Sequence, residues 1–404
     1  MNLHLLIHSV LMHVSAAMII LIYIPLSIPV KLFMWAFVKP FRKEDLRGKV
    51  VLITGASSGI GEELAYQYAK KGACLALVAR RKQALEDVAV AARERGSPDV
   101  LVLPADVTDP DQSRLAVEET VAHFGKLNHL VANAGVWSIC RFDEVTNITA
   151  FTKMMDVNFW GSVYPTYYAL PHLKASKGKL LVSCSQAGTV PAARTSFYNV
   201  SKDYIVASIT KAIDHDLSLE FILPWLIGLL HHKKATKAAQ LRFYETLRAE
   251  VGSEVGVTIL TPGFVESEMT KGKVIRKGGD LAVDEEARDV QIGVFPVGRV
   301  ETLCEVALDA IRKGDWYVTW PSLYRPVPLV ALLAPEVFDW LSHAMYDAKE
   351  GARPLSGCSR QQEPNGFSPR HSATIRTSRR RRVTAMKSHR QMCSILCQKR
   401  KTEE

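Results

Sequence analysis

The chain has 404 residues, of which 48% are hydrophobic and 23% are charged, and its formal net charge is +10. This composition is too apolar for a disordered protein, and it provides enough residues for one large α/β domain or two small ones. The charge lies at one end, because residues 351–404 contain 13 Lys and Arg against 3 acidic residues, whereas residues 1–350 contain 38 of each sign. A basic surface over the whole protein is therefore excluded, and we expect no nucleic-acid partner.

We predict a membrane or lipid-droplet anchor over residues 1–40. Its first 30 residues include no Lys, Arg, Asp or Glu, and the stretch Val14–Val38 is long enough for a bilayer about 30 Å thick. Pro25 and Pro29 interrupt this stretch, so a kinked span and a hairpin that enters and returns both fit. The segment lacks the basic start and the cleavage site of a secretory signal. Basic residues follow it at once, which predicts that the next domain faces the cytosol.

A glycine-rich turn follows the first predicted strand. The β-branched run Lys49–Thr54 leads into the sequence TGASSGIG, after which Glu62–Lys71 has the pattern of a helix. Strand, glycine turn and helix in this order are typical of a dinucleotide phosphate loop, with free N–H groups at the helix N-terminus for the phosphates. Gly55 would permit the tight turn, Gly59 would let the backbone approach a pyrophosphate, and Gly61 would let helix and strand pack closely. The candidate cofactor-binding residues of this loop are Gly55, Ser57, Ser58, Gly59, Ile60 and Gly61.

The second predicted strand, Cys74–Ala79, ends in two arginines, Arg80 and Arg81. An NAD site usually presents a carboxylate at this point to bind the ribose 2′-hydroxyl. Two guanidinium groups suit the 2′-phosphate of NADP instead, by charge and by geometry. The sequence therefore predicts NADP as the cofactor.

Strand and helix patterns continue to alternate along the chain. The further predicted elements are strands at Val100–Leu103, His129–Ala132, Leu180–Cys184 and Trp316–Thr319, and helices at Asp109–Phe124 and Ile148–Ala175. Repeated βαβ units predict an α/β fold with a doubly wound parallel sheet, the Rossmann fold. Right-handed crossovers then bring the loops after the strands to one edge of the sheet, where ligands bind.

The motifs taken together resemble the short-chain dehydrogenase/reductase superfamily. The matching segments, in chain order, are TGASSGIG at Thr54–Gly61, ADV at Ala105–Val107, NAG at Asn133–Gly135, VNFWG at Val157–Gly161, Ser185, YNVSK at Tyr198–Lys202 and TPGFVESEM at Thr261–Met269. More narrowly, the chain is similar to the plant 11-beta-hydroxysteroid dehydrogenase-like proteins called steroleosins, which join a proline-interrupted lipid-droplet anchor to such a domain. The segments YPTYYALPHL, RFYETLRAEVG and EMTKGK carry this narrower likeness.

The resemblance implies roles for individual residues. Tyr198 would donate or accept the proton at the substrate oxygen, provided that a nearby lysine and the charged nicotinamide lower its pKa from about 10. Ser185 would orient the substrate oxygen, and Asn158 would hold a water in a proton relay with the lysine. The further cofactor contacts that the resemblance implies are Asp106 and Val107 at the adenine, and Asn133 and Ala134 in the cofactor cleft. The loop Phe264–Asp280 would close over both ligands.

The segment that should carry the active-site helix is about 35 residues too long. RFYETLRAEVG normally follows the lysine closely, yet here it begins only at Arg242. Removing Val200–Lys234 would join Tyr198-Asn199 to Ala235-Thr236-Lys237 and would restore a tyrosine, three residues and a lysine. We favour a translated, retained intron, whose initial Val-Ser is compatible with a splice-donor sequence. The alternative is a genuine insertion, in which Lys202 of the intact YNVSK motif serves as the lysine.

The predicted organisation is an anchor at 1–40, a dehydrogenase domain at 41–345 with the anomalous segment 200–234, and a basic disordered tail at 346–404. No metal site is expected, because Cys393 and Cys397 have no second Cys/His pair nearby. The resemblance implies an NADP-dependent enzyme that interconverts a hydroxyl and a ketone on a steroid- or sterol-like substrate, on lipid droplets or the endoplasmic reticulum, and it suggests a homodimer. The alternative is a lipid-droplet structural protein whose catalysis is impaired by the extra segment.

Overall fold

The computed structural model describes residues 43–341, except residues 191, 200–235, 294 and 339, together with residues 7, 11, 12, 14, 15, 17–33 and 37 of the N-terminal segment. The chain divides into two units, Met1–Ala352 and Arg353–Glu404, and all described residues belong to the first. The anomalous segment, Lys202 and the basic tail therefore lie outside the described residues.

The described part of the N-terminal segment is helical. A π-helical turn at Ile19–Tyr23 continues into helix α1, Ile24–Phe33, with Pro29 inside it. Its apolar side chains face solvent, with Leu21 73% and Leu26 68% exposed. Within the ranges that the structure describes, no helix combines the length and the apolar character needed to cross a membrane.

In the described part of the chain, seven parallel strands form the main sheet in the order β3-β2-β1-β4-β5-β6-β9, and β7 and β8 pair as a separate antiparallel hairpin. The strands are β1 Val50–Thr54, β2 Cys74–Ala79, β3 Val100–Pro104, β4 His129–Ala132, β5 Lys179–Ser183, β6 Gly256–Pro262, β7 Lys273–Ile275, β8 Leu281–Val283 and β9 Tyr317–Trp320. This topology confirms the predicted doubly wound parallel sheet.

Helices cover both faces of the sheet. They are α2 Gly59–Ala69, α3 Lys82–Glu94, α4 Pro110–Phe124, α5 Thr152–Met155, α6 Gly161–Ser176, α7 Ser196–Asn199, α8 Thr236–Val251, α9 Glu285–Ile292, α10 Val300–Lys313 and α11 Val327–Leu333. Alternate residues of β1 point to opposite sides: Val51 and Ile53 pack with α2, α3 and α10, whereas Val50 and Leu52 pack with α4, α6 and α8. Burial on both faces explains why β1 and β2 are apolar at consecutive positions.

A buried polar cluster connects the segment before β1 to the sheet. The ring of His129 is fully buried; its Nε2 lies 3.2 Å from the Glu44 carboxylate, and its Nδ1 lies 3.0 Å from the Tyr68 hydroxyl. Lys49 and Lys179 lie 3.0 and 2.9 Å from the same carboxylate. Burial alone would raise the pKa of Glu44, but hydrogen bonds from His129, Lys179 and Lys49 outweigh it and hold that pKa well below its usual range. Burial also lowers the pKa of His129 below its ordinary value of 6.5.

This cluster predicts a loss of stability on acidification. Both pKa values are lower in the folded chain, so the stabilisation is present at neutral pH; it declines as the pH falls below 6.5, where unfolded His129 binds a proton, and further below 4.5, where unfolded Glu44 does. Each unit of pKa difference is worth about 1.4 kcal/mol. We expect His129→Gln, which keeps a neutral donor but cannot titrate, to flatten the fall in Tm between about pH 7 and 5. An unchanged pH dependence in thermal melts of this variant would contradict the assignment.

Candidate active site

The loops at the C-terminal ends of the strands border a cleft of about 600 Å³. Its walls come from segments that follow successive strands: 55–60 after β1, 79–81 at the end of β2, 105–107 after β3, 133–137 after β4, 183–187 at the end of β5, and 262–270 after β6. The predicted cofactor-binding residues line this cleft, except Gly61, and so do Ser185, Tyr198 and Lys237. Asn158 and Gly61 are buried behind the wall, and Lys202 lies outside the described residues.

The glycine-rich turn requires glycine for two different reasons. Gly55 has φ +66°, and a Cβ there would lie 2.9 Å from Ala134 Cα. Gly61 has an ordinary helical backbone, but its Cβ would lie 2.3 Å from the Gly55 carbonyl oxygen and 2.6 Å from Asn133 Nδ2. The Asn133 amide also donates to the carbonyl oxygen of Thr54, at 3.3 Å, so it ties the turn to the loop after β4. The turn is therefore packed too tightly for any side chain at position 61.

We expect Gly61→Ala to destabilise the protein by about 1–3 kcal/mol, because the added methyl group has to displace backbone of the turn. Gly278→Ala is the matched control, since a Cβ there would meet its nearest neighbour at 3.4 Å and would not enter the left-handed region. Urea unfolding of the two variants measures both free energies. Equal stability of the two would show that the turn can move to admit a methyl group and that its tight packing is not rigid.

Ser185 and Tyr198 meet on one side of the cleft. Ser185 follows β5, and its hydroxyl accepts a hydrogen bond from the Ala187 N–H at 3.1 Å. Tyr198 lies in α7, is 8% exposed, and its hydroxyl is hydrogen-bonded to Ser185. Burial raises the pKa of Tyr198 above its ordinary value of 10.0, and the contact with Ser185 offsets only part of the rise. The predicted lowering of this pKa requires nearby positive charge and stays a prediction for the complex with a cofactor.

Lys237 enters the cleft from the beginning of α8. Its Nζ donates to the Ser183 carbonyl oxygen at 3.0 Å and to Gln240 Oε1 at 2.9 Å. The side chain is only 3% exposed, and burial lowers its pKa to about 8. A Cβ on Gly135 would lie 3.6 Å from Lys237 Nζ and 3.3 Å from Asn158 Oδ1, so both polar groups approach the same point of the cleft wall.

Asn158 lies in a π-helical turn inside a longer helical segment. The prediction that Ile148–Ala175 is helical is confirmed, but the segment is not one regular α-helix: a 3-10 turn, α5 and a π-helical turn at Asp156–Trp160 lead directly into α6. The π-helical turn carries Asn158, whose amide pairs with the backbone of Val136 through Oδ1 at 2.8 Å and Nδ2 at 3.0 Å. The π-helical turn and these two hydrogen bonds hold Asn158 against the loop after β4, where the predicted relay would need it.

Two polar residues of this region were not found from the sequence. Gln240 follows Lys237 by one helical turn and binds its Nζ, so the spacing on a helix was a usable signal. Glu268 lies in the loop after β6, and its carboxylate lies 3.0 Å from Arg81 Nη1. The other predicted arginine, Arg80, lies 3.9 Å from Asp106 and is 65% exposed at its side chain.

The parallel sheet, and the Ser185, Tyr198 and Lys237 side chains in the cleft at its C-terminal edge, define a Rossmann-fold protein with a dehydrogenase-type site. The family model described as short chain dehydrogenase matches residues 49–222. The chain is 42% identical over 308 residues to 11-beta-hydroxysteroid dehydrogenase A of Sesamum indicum, covering 76% of this chain and 78% of that protein. It is 44% identical over 303 residues to 11-beta-hydroxysteroid dehydrogenase 1A of Arabidopsis thaliana, covering 75% of this chain and 77% of that protein. The chain belongs to the short-chain dehydrogenase family and is a dehydrogenase or reductase.

Solved structures support the fold. A short-chain dehydrogenase/reductase from Burkholderia phymatum, in complex with NAD, aligns with a TM-score of 0.56 at 20% identity, covering 78% of this chain and 100% of that one. An alcohol dehydrogenase from Thermococcus sibiricus, complexed with 5-hydroxy-NADP, aligns with a TM-score of 0.51 at 23% identity, covering 69% of this chain and 98% of that one.

Proposed function

We propose that this chain is an NADP-dependent oxidoreductase that interconverts a hydroxyl and a ketone on a steroid- or sterol-like substrate at a membrane or lipid-droplet surface. The observation that carries the proposal is the hydrogen-bonded pair of Tyr198 and Ser185, which faces the same cleft as the glycine-rich turn and Lys237. A proton donor, a polar group that orients an oxygen, and a buried cation in one cleft are what carbonyl reduction requires.

The residues of the cleft fit a dinucleotide phosphate. Gly59 and Ile60, the first residues of α2, line the cleft, so this helix N-terminus is placed to bind an anion there. Arg81 Nη2 lies 3.2 Å from the Ser57 hydroxyl and 3.0 Å from the Ser58 hydroxyl. These donors form a cluster of positive charge and O–H groups that suits a 2′-phosphate, which supports NADP over NAD.

The bound cofactor would supply or accept the hydride, and the chain's own residues would handle the proton. In the direction of reduction, Ser185 donates a hydrogen bond to the substrate carbonyl oxygen and Tyr198 transfers its hydroxyl proton to that oxygen. The ammonium of Lys237 stabilises the negative charge that remains on the phenolate. Its hydrogen bonds to Ser183 and Gln240 hold that ammonium in place.

Apolar side chains support an apolar substrate. Many hydrophobic residues line the cleft, among them Trp137, Val190, Phe264, Phe295, Leu323, Val327, Val330 and Phe338. A lining of this kind suits an apolar ligand beside the cofactor. The curated relatives are named as hydroxysteroid dehydrogenases, which supports the same substrate class.

We propose that residues 1–40 anchor the enzyme and that the catalytic domain faces the cytosol. The support is the absence of charged residues from positions 1–30 and the basic residues that follow. An anchored enzyme would draw an apolar substrate from the lipid that holds it. A fluorescent fusion of the full chain should be found on membranes or lipid droplets, and a fusion that lacks residues 1–40 should not. Identical distributions of the two fusions would refute the anchor.

We propose Lys237 as the active-site lysine and Val200–Lys234 as a translated intron. Helices α7 and α8, which flank this segment, are in contact, and Lys237 already lies in the cleft with Tyr198. Amplification of the transcript across the codons for Asn199 and Ala235 tests the intron. A shorter product is expected, and its absence from every tissue that expresses the gene would favour a genuine insertion.

The function is tested by following NADPH oxidation with a panel of ketosteroids and the full-length protein. We expect turnover with at least one steroid and a kcat/KM for NADPH at least about tenfold above that for NADH, a difference of about 1.4 kcal/mol. Comparable values for the two cofactors would overturn NADP specificity. If no steroid is turned over with either cofactor, the result would favour a structural lipid-droplet protein over an enzyme.

A further inference from the structure

Glu268 occupies a bridging position beside the proposed cofactor site. It lies in the loop between β6 and β7, and its carboxylate joins two cations that are far apart in sequence. Arg81 Nη1 donates to Oε1 at 3.0 Å, and Lys273 Nζ donates to Oε2 at 2.9 Å. Side-chain exposures of 46% for Arg81 and 39% for Glu268 leave the contact accessible from the cleft, which both residues line.

The same guanidinium also binds the glycine-rich turn. Arg81 Nη2 lies 3.3 Å from the Ser57 carbonyl oxygen, 3.2 Å from the Ser57 hydroxyl and 3.0 Å from the Ser58 hydroxyl. The two loops also approach each other here, because a Cβ added to Gly59 would lie 3.5 Å from Ser267 Cβ. Arg81 therefore connects the glycine-rich turn to Glu268. The Glu268 carboxylate accepts a hydrogen bond from one of the two terminal nitrogens of Arg81.

A 2′-phosphate would bind the N–H groups of Arg81, one of which already donates to Glu268. Guanidinium groups bind phosphate through two parallel N–H groups, and here Nη1 is held by the carboxylate. A phosphate and a carboxylate on one guanidinium also repel each other, since both are negative at neutral pH. A cofactor without the phosphate has no such conflict, because its ribose hydroxyl adds no charge. Lys273 would still neutralise Glu268 after Arg81 has been released.

We propose that Glu268 competes with the 2′-phosphate of the cofactor for Arg81, and that it thereby sets how strongly the enzyme discriminates NADP from NAD. This inference rests on the proposed NADP dependence and adds a specificity-determining carboxylate to it. Glu268 weakens the binding of NADP and leaves the binding of NAD unchanged.

Calorimetric titration of the full-length protein tests the competition without requiring turnover. The probes are 2′,5′-ADP and NADPH, which carry the 2′-phosphate, and ADP and NADH, which lack it. Glu268→Gln is expected to lower the Kd of the first pair about tenfold and to change that of the second pair by less than about twofold. The matched control is Glu266→Gln, which removes an exposed carboxylate of the same loop that does not line the cleft. It should alter none of the four Kd values.

The possible outcomes separate the two proposals. If the wild-type protein binds NADPH more tightly than NADH but Glu268→Gln leaves the ratio unchanged or lowers it, the role of Glu268 is refuted and NADP dependence stands. A wild-type protein that does not distinguish the two pairs, with no change in the variant, refutes NADP dependence as well. An equal gain in Glu266→Gln would show a general effect of loop charge and would also overturn the proposal.

Discussion

Replacing Tyr198 with phenylalanine should lower kcat for ketosteroid reduction by a factor of about 10² to 10⁴, the usual contribution of a positioned general acid. Phenylalanine keeps the ring, which packs against Trp137 at a centroid distance of 6.4 Å, so the fold should be retained. The change removes only the hydroxyl that is hydrogen-bonded to Ser185. Steady-state kinetics with NADPH, alongside the Kd of NADPH, measure the effect on chemistry and on binding separately.

Tyr324→Phe is the matched control for this experiment. Tyr324 also lines the cleft and is 7% exposed, but it lies in the short turn after β9, and the predicted proton transfer does not involve it. Removing its hydroxyl should change kcat by less than a few-fold. A Tyr198→Phe enzyme that retains more than about a tenth of wild-type kcat would show that another group supplies the proton. Similar losses in the two variants would point to a general disturbance of the cleft.

Replacing Lys237 with methionine should lower kcat by about a hundredfold or more, whereas Lys202→Met should leave it unchanged. Methionine has a similar length and can occupy the buried site, but it carries no charge and cannot stabilise the phenolate of Tyr198. The expectation follows from the position of Lys237 Nζ, 3.0 Å from the Ser183 carbonyl oxygen at the wall of the cleft. The two variants are matched in chemistry and differ only in which lysine they remove.

The pH profile adds a test of the same lysine. Burial lowers the pKa of Lys237 to about 8, so the ammonium is present below that pH and is lost as the pH rises through it. The kcat/KM of the wild-type enzyme should therefore fall above about pH 8, and Lys237→Met should lack this limb. A large loss in Lys202→Met with normal kinetics in Lys237→Met would favour a genuine insertion that carries the catalytic lysine.

Deleting residues 200–234 tests the proposal that this segment is a translated intron. The shortened chain should reach at least the wild-type kcat and Tm, because α7 and α8 are already in contact and the deletion restores the spacing of the motif. Thermal melting shows whether it folds. A shortened chain that folds but has no activity would contradict the intron, since the deletion would then have removed a functional part.

The parallel sheet was the most predictable part of the molecule. Its strands are buried on both faces, so they appear in the sequence as short apolar runs, and the predicted Cys74–Ala79 coincides with β2. The sequence pattern places the last strand one residue early, at Trp316–Thr319, whereas β9 is Tyr317–Trp320. The cofactor side of the cleft was predictable for a related reason: loops that follow parallel strands meet at one edge.

Features that depend on contacts between distant segments were not predictable in the same way. The contact of Arg81 with Glu268 joins residues 187 positions apart, and nothing in either local sequence indicates it. The π-helical turn at Asn158 also escaped prediction, because residues 148–175 have a helical pattern throughout. Directly after this turn, a Cβ added to Gly161 would lie 2.8 Å from Val107 Cγ2, so the helix packs closely against the loop after β3.

The most direct test of the account is the transfer of deuterium to a ketosteroid by the full-length protein, from NADPH in which both hydrogens of the hydride-donating carbon are deuterium. Mass spectrometry of the product should show one deuterium on the carbinol carbon, and Tyr198→Phe should form about 10² to 10⁴ times less of this product in the same time. A reduced steroid without deuterium, or no reduced steroid at all, would contradict the assignment of this chain as an NADP-dependent oxidoreductase acting through Tyr198.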